Sequence, residues 1–239
     1  MNSLKNKTWH SLCFCSDVDE QPSRRYPMTQ QAIYHIDHVT YAGRPENEEH
    51  FLNQWKLFGF TETDRLQTVR FPATHIALTS GAAPGFPWGT MTGLSVSPDA
   101  HSAVNEFIRR YGEGVQHVAY NIGPEADMEQ VQVEMKKSGW QFMTSVLVYQ
   151  DGNGAKLKQM FSAPTTPYGY FIEFIQRLTS PEGEVYKGFD AFNIDDLYES
   201  YSDFSNWLEV HPRNTSSNLY VSKPAWKKTF PTFEVTRPF

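Results

Sequence analysis

The sequence predicts an α+β fold in which two tandem βαβββ modules form one open barrel. The main observation is a repeated phrase, because IDHVTY at residues 36–41 recurs as VQHVAY at residues 115–120. A polar stretch with helical spacing of its apolar residues follows each copy and leads to a glycine beside an aromatic residue, Gly59 in the first copy and Gly139 in the second. The chain therefore predicts the same strand and helix twice, in the same order.

Composition is typical of a soluble protein. The chain has 239 residues, of which 39% are hydrophobic, and this is enough to bury the core of one large domain or of two fused modules. A formal net charge of −6 argues against a nucleic-acid-binding surface. No run approaches the roughly 18 apolar residues that cross a bilayer, and the start lacks the apolar stretch of a signal peptide. We therefore expect a cytoplasmic protein without a membrane partner.

Changes in composition and the positions of turn-forming residues divide the chain into five segments. The first is a polar leader whose two cysteines, Cys13 and Cys15, we expect to be reduced. The predicted segments are the leader at 1–31, the first module at 32–98, a connecting helix at 99–114, the second module at 115–178, and a C-terminal helix and tail at 179–239.

The first strand of the first module carries a histidine on a defined face. Strict alternation places Ile36, His38 and Thr40 on one face and the intervening residues on the other. The phrase at 115–120 places His117 at the equivalent position of the second module. One histidine on the first strand of each copy predicts a metal site shared between the two halves of the barrel.

Periodicity also predicts the remaining elements. Helices are expected at 46–58 and 125–138, each followed by three strands, and Asp99 is expected to cap a connecting helix that reaches residue 111. The sequence DGNG at 151–154 is a strong hairpin-turn signal. The predicted strands are 60–66, 75–79 and 93–97 in the first module and 141–149, 157–163 and 168–177 in the second, and an amphipathic segment follows at 194–201.

The last predicted strand supplies a third candidate ligand. Phe171, Glu173 and Ile175 share a face, so that a carboxylate lies among apolar neighbours and needs a cation, a hydrogen-bonding partner or water. Two inward histidines and one inward carboxylate form the facial triad that holds non-haem Fe(II). Alternatives to a metal site stay open. A lone strand histidine is more often structural or exposed, and Glu173 at a solvated edge of the sheet would need no buried partner.

Five short phrases carry a family resemblance. The phrases are IDHV at 36–39, GEGVQHVA at 112–119, KQMF at 158–161, YFIEFIQR at 170–177, and Gly188-Phe189 followed by Asn193 and Leu197. In chain order they resemble phrases of the catalytic C-terminal half of the 4-hydroxyphenylpyruvate dioxygenases, and the βαβββ duplication resembles the vicinal-oxygen-chelate superfamily.

The resemblance implies a ligand set and a substrate pocket. By that resemblance His38, His117 and Glu173 would bind Fe(II), and the C-terminal helix would lie over the mouth of the barrel. Plain core packing is the alternative role for the two phenylalanines of the pocket. The implied substrate-binding residues are Gln159, Phe161, Phe189, His75, Val96 and Asn193.

The implied activity is that of an Fe(II)-dependent dioxygenase acting on a 2-oxo acid and O2 by oxidative decarboxylation and hydroxylation. His75 and Val96 replace residue types that help hold substrate in the family, so the expected substrate is either 4-hydroxyphenylpyruvate-like or a different compound. The chain resembles the catalytic half alone, and a homodimer is expected by analogy. A divalent-metal lyase or isomerase that uses Glu173 as a base, and a non-catalytic small-molecule-binding protein, stay open as alternatives.

Overall fold

The computed structural model describes residues 33–81, 90–164, 169–186, 189 and 191–210. The predicted leader with Cys13 and Cys15, and the part of the predicted tail after residue 210, lie outside these residues. The elements are β1 (Ile33–Ala42), a 3-10 turn (Pro45–Asn47), α1 (Glu48–Leu57), β2 (Thr61–Gln67), β3 (Thr74–Ser80), β4 (Thr90–Val96), α2 (Ala103–Tyr111), β5 (Gly114–Ile122), α3 (Met128–Lys137), β6 (Leu147–Gln150), β7 (Lys156–Phe161), β8 (Phe171–Leu178) and α4 (Ala191–Val210).

Within the described part of the chain, eight strands form a single curled sheet with the order β2-β3-β4-β1-β5-β8-β7-β6. The first strands of the two modules, β1 and β5, are antiparallel neighbours at the centre, with Thr40 opposite His117. Within each module the first strand pairs in parallel with the last, β1 with β4 and β5 with β8. The two halves of the sheet therefore repeat one topology, which confirms the predicted α+β open barrel of two βαβββ modules.

Each module has its own apolar core beneath a helix. Leu52 of α1 packs with Leu78 and Leu94 in the first module, and Met128 of α3 packs with Phe142 and Phe174 in the second. A third cluster joins α2 and α4 to the second half of the sheet, with Ile194, Leu197, Tyr198 and Tyr201 of α4 packed among Phe107, Phe161 and Phe171.

Strand β1 departs from the strict alternation that the sequence predicts. Its pairing with β5 shifts register between Ile36 and His38. At this irregularity Ile36 is 50% exposed, whereas Asp37 and His38 are both buried. A β-bulge of this kind places two consecutive side chains on the buried side. The prediction that Ile36 shares a face with His38 is therefore wrong, and Asp37 becomes part of the interior.

Two other boundaries differ from the expectation for local reasons. Helix α2 begins after Ser102, whose side chain accepts a hydrogen bond from the Asn105 amide, while the Asp99 carboxylate accepts one from the His101 amide in the preceding turn. Strand β6 is short because only Phe142 of the preceding stretch pairs, in an isolated bridge with Ser162.

Helix α4 is attached to both modules by buried or half-buried polar contacts. The Asp195 carboxylate accepts hydrogen bonds from the backbone amides of Val69, Arg70 and Phe71 in the β2–β3 turn, with shortest distances of 2.9, 3.0 and 3.3 Å. The neighbouring Asp196 accepts a hydrogen bond of 2.7 Å from Tyr149 of β6. No helix of the described residues is long and apolar enough to cross a membrane.

Removal of the Asp195 carboxylate should loosen this attachment. Asp195→Ala leaves three backbone amides without their acceptor, so we expect the free energy of unfolding to fall by about 1–3 kcal/mol in a denaturant titration. Asp203→Ala, at an exposed position of the same helix, is the control and should change it by less than about 0.5 kcal/mol. Equal effects of the two substitutions would contradict the anchoring role of Asp195.

Candidate metal centre

Three side chains from three adjacent strands converge inside the barrel. They are His38 of β1, His117 of β5 and Glu173 of β8, and each is at most 3% exposed. His38 Nε2 lies 3.2 Å and His117 Nε2 lies 3.4 Å from Glu173 Oε2. The two Nε2 atoms are 3.3 Å apart. Three potential ligand atoms therefore surround one point, as the sequence predicts.

The donor set fits a divalent metal. Among the described residues, Glu173 Oε1 is a buried oxygen without a hydrogen-bonding partner. Donor separations of 3.2–3.4 Å are close to the spacing of about 3 Å between adjacent donors with bonds of about 2.1 Å. Two imidazoles and a carboxylate suit several first-row divalent metals. The structure therefore supports a divalent metal site at His38, His117 and Glu173, and the donor set alone does not select iron.

Neighbouring acceptors orient both imidazoles. His38 Nδ1 donates to Asp37 Oδ1 at 3.0 Å, and His117 Nδ1 donates to Gln116 Oε1 at 3.3 Å. Hydrogen bonds at Nδ1 fix the tautomer that presents Nε2 to the metal. Phe171 stacks on the His117 ring with centroids 5.0 Å apart, which further restricts the ring.

Burial and charge separate the pKa values of the histidines. Burial lowers the pKa of His38, but the Glu173 and Asp37 carboxylates outweigh it and raise the pKa to about 9. Burial lowers the pKa of His117 well below its usual value, and positive charge at His38 adds to this effect. Before metal binds, the site therefore carries a proton on His38 at neutral pH.

A cavity of about 20 Å³ adjoins the three ligands and has room for about one water molecule. It is lined by the metal-site residues, by side chains from β3, β4 and β7, by Phe189 and by the start of α4. Eight of the nine predicted site residues lie here, namely His38, His117, Glu173, Gln159, Phe161, Phe189, His75 and Asn193. The lining residues that sequence reasoning did not select are Ser95, Ile194, Leu197 and Tyr198.

Val96 does not reach the cavity. It is buried in the core of the first module beneath α1, because neighbouring residues of β4 point to opposite sides of the sheet. Ser95 takes the inward position, and its hydroxyl lies 3.1 Å from His75 Nδ1. Burial and the nearby His38 charge lower the pKa of His75 to about 3, so this wall of the cavity is uncharged.

Phe189 covers the centre at the side of the first module. Its ring centroid lies 4.8 Å from that of His38 and 5.8 Å from that of His75. At the opposite wall, Gln159 Nε2 donates to the Asn193 carbonyl at 3.5 Å and connects β7 to α4. These contacts place an aromatic ring and an amide beside the three potential ligands.

Metal uptake should release a proton from His38. Since the pKa of His38 is about 9, its Nε2 must lose a proton to bind metal at lower pH. We expect affinity for a divalent metal to rise about tenfold per pH unit between pH 6 and 8, with about one proton released per metal. Calorimetric titrations in two buffers of different ionisation enthalpy would measure this number. Absence of proton release at pH 7 would contradict the protonated apo state.

Comparisons with known proteins show similarity in fold. No family model and no curated protein sequence matches the chain. A mutant of 4-hydroxymandelate synthase from Streptomyces coelicolor matches with a TM-score of 0.59 and 18% identity, over 72% of this chain and 54% of that chain. A fusion protein of a xylose isomerase-like TIM barrel with 4-hydroxyphenylpyruvate dioxygenase matches with a TM-score of 0.54 and 21% identity, over 72% of this chain and 29% of that chain.

The chain thus spans about half or less of the length of these two proteins. At such low identity the similarity concerns the arrangement of strands and helices. The doubled βαβββ sheet and these matches together confirm the predicted resemblance at the level of the fold: the chain has the fold of the vicinal-oxygen-chelate superfamily.

Proposed function

We propose that the chain is an Fe(II)-dependent dioxygenase that oxidatively decarboxylates and hydroxylates a 2-oxo acid. The observation that carries the proposal is the convergence of His38, His117 and Glu173 within 3.4 Å of one another beside an aromatic-walled cavity. When bound by these residues, Fe(II) would supply oxygen activation and positions for the carboxylate and keto oxygens of the substrate.

The side chains around the ligands would bind and orient the substrate. Gln159 and Asn193 offer amide groups from one side, and His75 with Ser95 offers uncharged hydrogen-bonding groups from the other. Phe161 lines the cavity and is 1% exposed, so it would keep water from the reacting atoms.

The substrate would be a compound other than 4-hydroxyphenylpyruvate. The name of one structural neighbour, which includes 4-hydroxyphenylpyruvate dioxygenase, supports oxidation of a 2-oxo acid, but His75 introduces an imidazole into the cavity wall. A cavity of about 20 Å³ holds no aromatic ring, so binding of an organic substrate would require side chains that line the cavity to move.

Oxygen consumption tests this proposal. The full chain is reconstituted anaerobically with Fe(II) and mixed with oxygenated buffer and a panel of 2-oxo acids and catechols. We expect uptake with at least one 2-oxo acid, and a fall of more than about 100-fold in His117→Ala because a ligand to the metal is lost. His50→Ala, at an exposed position of α1, is the control and should retain full uptake.

Two results would overturn the proposal. One is equal uptake by the wild-type protein and His117→Ala, and the other is no uptake with any compound by a metal-loaded wild-type protein. Metal-dependent exchange of a substrate proton without oxygen uptake would instead support a lyase or isomerase in which Glu173 acts as a base.

A further inference from the structure

A buried ion pair lies behind the candidate metal centre. Asp37 of β1 and Arg177 of β8 are 2% and 8% exposed. Arg177 Nε and Nη2 each donate to a different oxygen of the Asp37 carboxylate at 2.9 Å, which is a bidentate arrangement. Asn121 of the intervening strand β5 donates to the same carboxylate at 3.3 Å.

The burial of both charges of this pair suggests a role other than stability. Burial of two charges has a desolvation cost, and well-packed apolar residues of similar volume often replace such a pair without loss of stability. Neither residue lines the cavity. Both nevertheless contact residues that do, because Asp37 accepts the hydrogen bond from His38 Nδ1 and the Arg177 guanidinium carbon lies 5.3 Å from the centre of the Phe189 ring.

The two histidine ligands differ in the group that accepts a hydrogen bond from Nδ1. His38 donates to the carboxylate of Asp37, whereas His117 faces the neutral amide oxygen of Gln116. A carboxylate at this position fixes the ring and makes the imidazole a more basic ligand. Since the Arg177 fork occupies both oxygens of Asp37, it also fixes the carboxylate that fixes His38.

Arg177 also sets the charge of the metal-loaded centre. Two positive charges of a divalent metal and one of Arg177 face one negative charge of Glu173 and one of Asp37. His38 and His117 bind a metal as neutral imidazoles. One positive charge is left, which matches a chelating ligand with a single negative charge.

We propose that the Asp37–Arg177 pair positions His38 as a metal ligand and leaves the loaded centre with one net positive charge, so that it selects a monoanionic chelator such as a 2-oxo acid. This inference rests on the metal site of the proposed function. Asp37 and Arg177 are positioning residues, since they act through His38 and through their charge rather than by contact with the substrate.

Two binding measurements separate the positional effect from the charge effect. The first is titration of the apoprotein with Co(II), followed by its visible absorption at pH 8, with each affinity corrected for the protons that binding releases. The second is the ratio of the affinities of the Co(II) protein for pyruvate and for its uncharged methyl ester, measured without oxygen. The main series has four proteins: the wild type, Asp37→Asn, Arg177→Gln, and the double variant that carries both substitutions.

We expect Co(II) affinity to fall about 10–100-fold in Asp37→Asn and in the double variant, because His38 loses its carboxylate. The preference for pyruvate over the ester should fall at least about tenfold in Arg177→Gln and rise in Asp37→Asn. The double variant loses one charge of each sign, so it should keep the wild-type preference within about threefold. Arg177→Lys, which keeps the charge without the bidentate fork, should keep the preference and bind Co(II) more weakly.

The double variant protects the test against misfolding, because it leaves no unpaired charge in the interior. Arg65→Gln, which removes an arginine paired with Glu62 and Glu48 at the protein surface, is the control and should leave both measurements unchanged. Thermal unfolding of each apoprotein verifies that it is folded.

Each outcome decides a part of the inference. Unchanged Co(II) affinity in folded Asp37→Asn and double variants would overturn the positioning role, and one ligand preference in all four proteins would overturn the charge role. A wild type that binds no Co(II) would overturn the inference together with the metal site. The expected series of affinities in a protein that consumes no oxygen would support the inference and reject the dioxygenase.

Discussion

The antiparallel pairing of β1 with β5 at the centre of the sheet determines where every other part of the site can lie. It places His38 and His117 on neighbouring strands, and the parallel pairing of β5 with β8 brings Glu173 to the same side. A shift of one residue in either pairing would turn a ligand to the opposite face of the sheet. The bulge between Ile36 and His38 belongs to the same constraint, since it directs both Asp37 and His38 inward.

The repeated phrase predicts this arrangement because its information is local and occurs twice. Strand position, inward direction and module equivalence follow for His38 and His117 from period-two spacing, and for Glu173 from its apolar neighbours. The Asp37 side chain could not be placed in this way, because the bulge arises from strand pairing. Its partner Arg177 is 140 residues away in the chain, and no periodic pattern links the two.

The remaining differences between the predicted and the observed structure mostly concern neighbouring residues that suit the same role. Ser95 and Val96 are neighbours, and a shift of one residue along a strand exchanges a cavity position for a core position. Ser102 and Asp99 are both good caps, and the one whose side chain reaches the free amide of Asn105 begins the helix. The contacts of α4 through Asp195 join segments more than a hundred residues apart, so they follow from packing rather than from local sequence.

The position of the ligands at the junction of the modules has a consequence for metal-dependent assembly. One ligand belongs to the first module and two belong to the second, so a bound ion links the halves of the sheet non-covalently. A ligand that binds only the folded state adds about 2.7 kcal/mol of stability when its free concentration is a hundredfold above its dissociation constant. Under the proposed metal binding, metal supply would therefore influence the lifetime of the folded chain, and metal starvation would expose it to proteolysis.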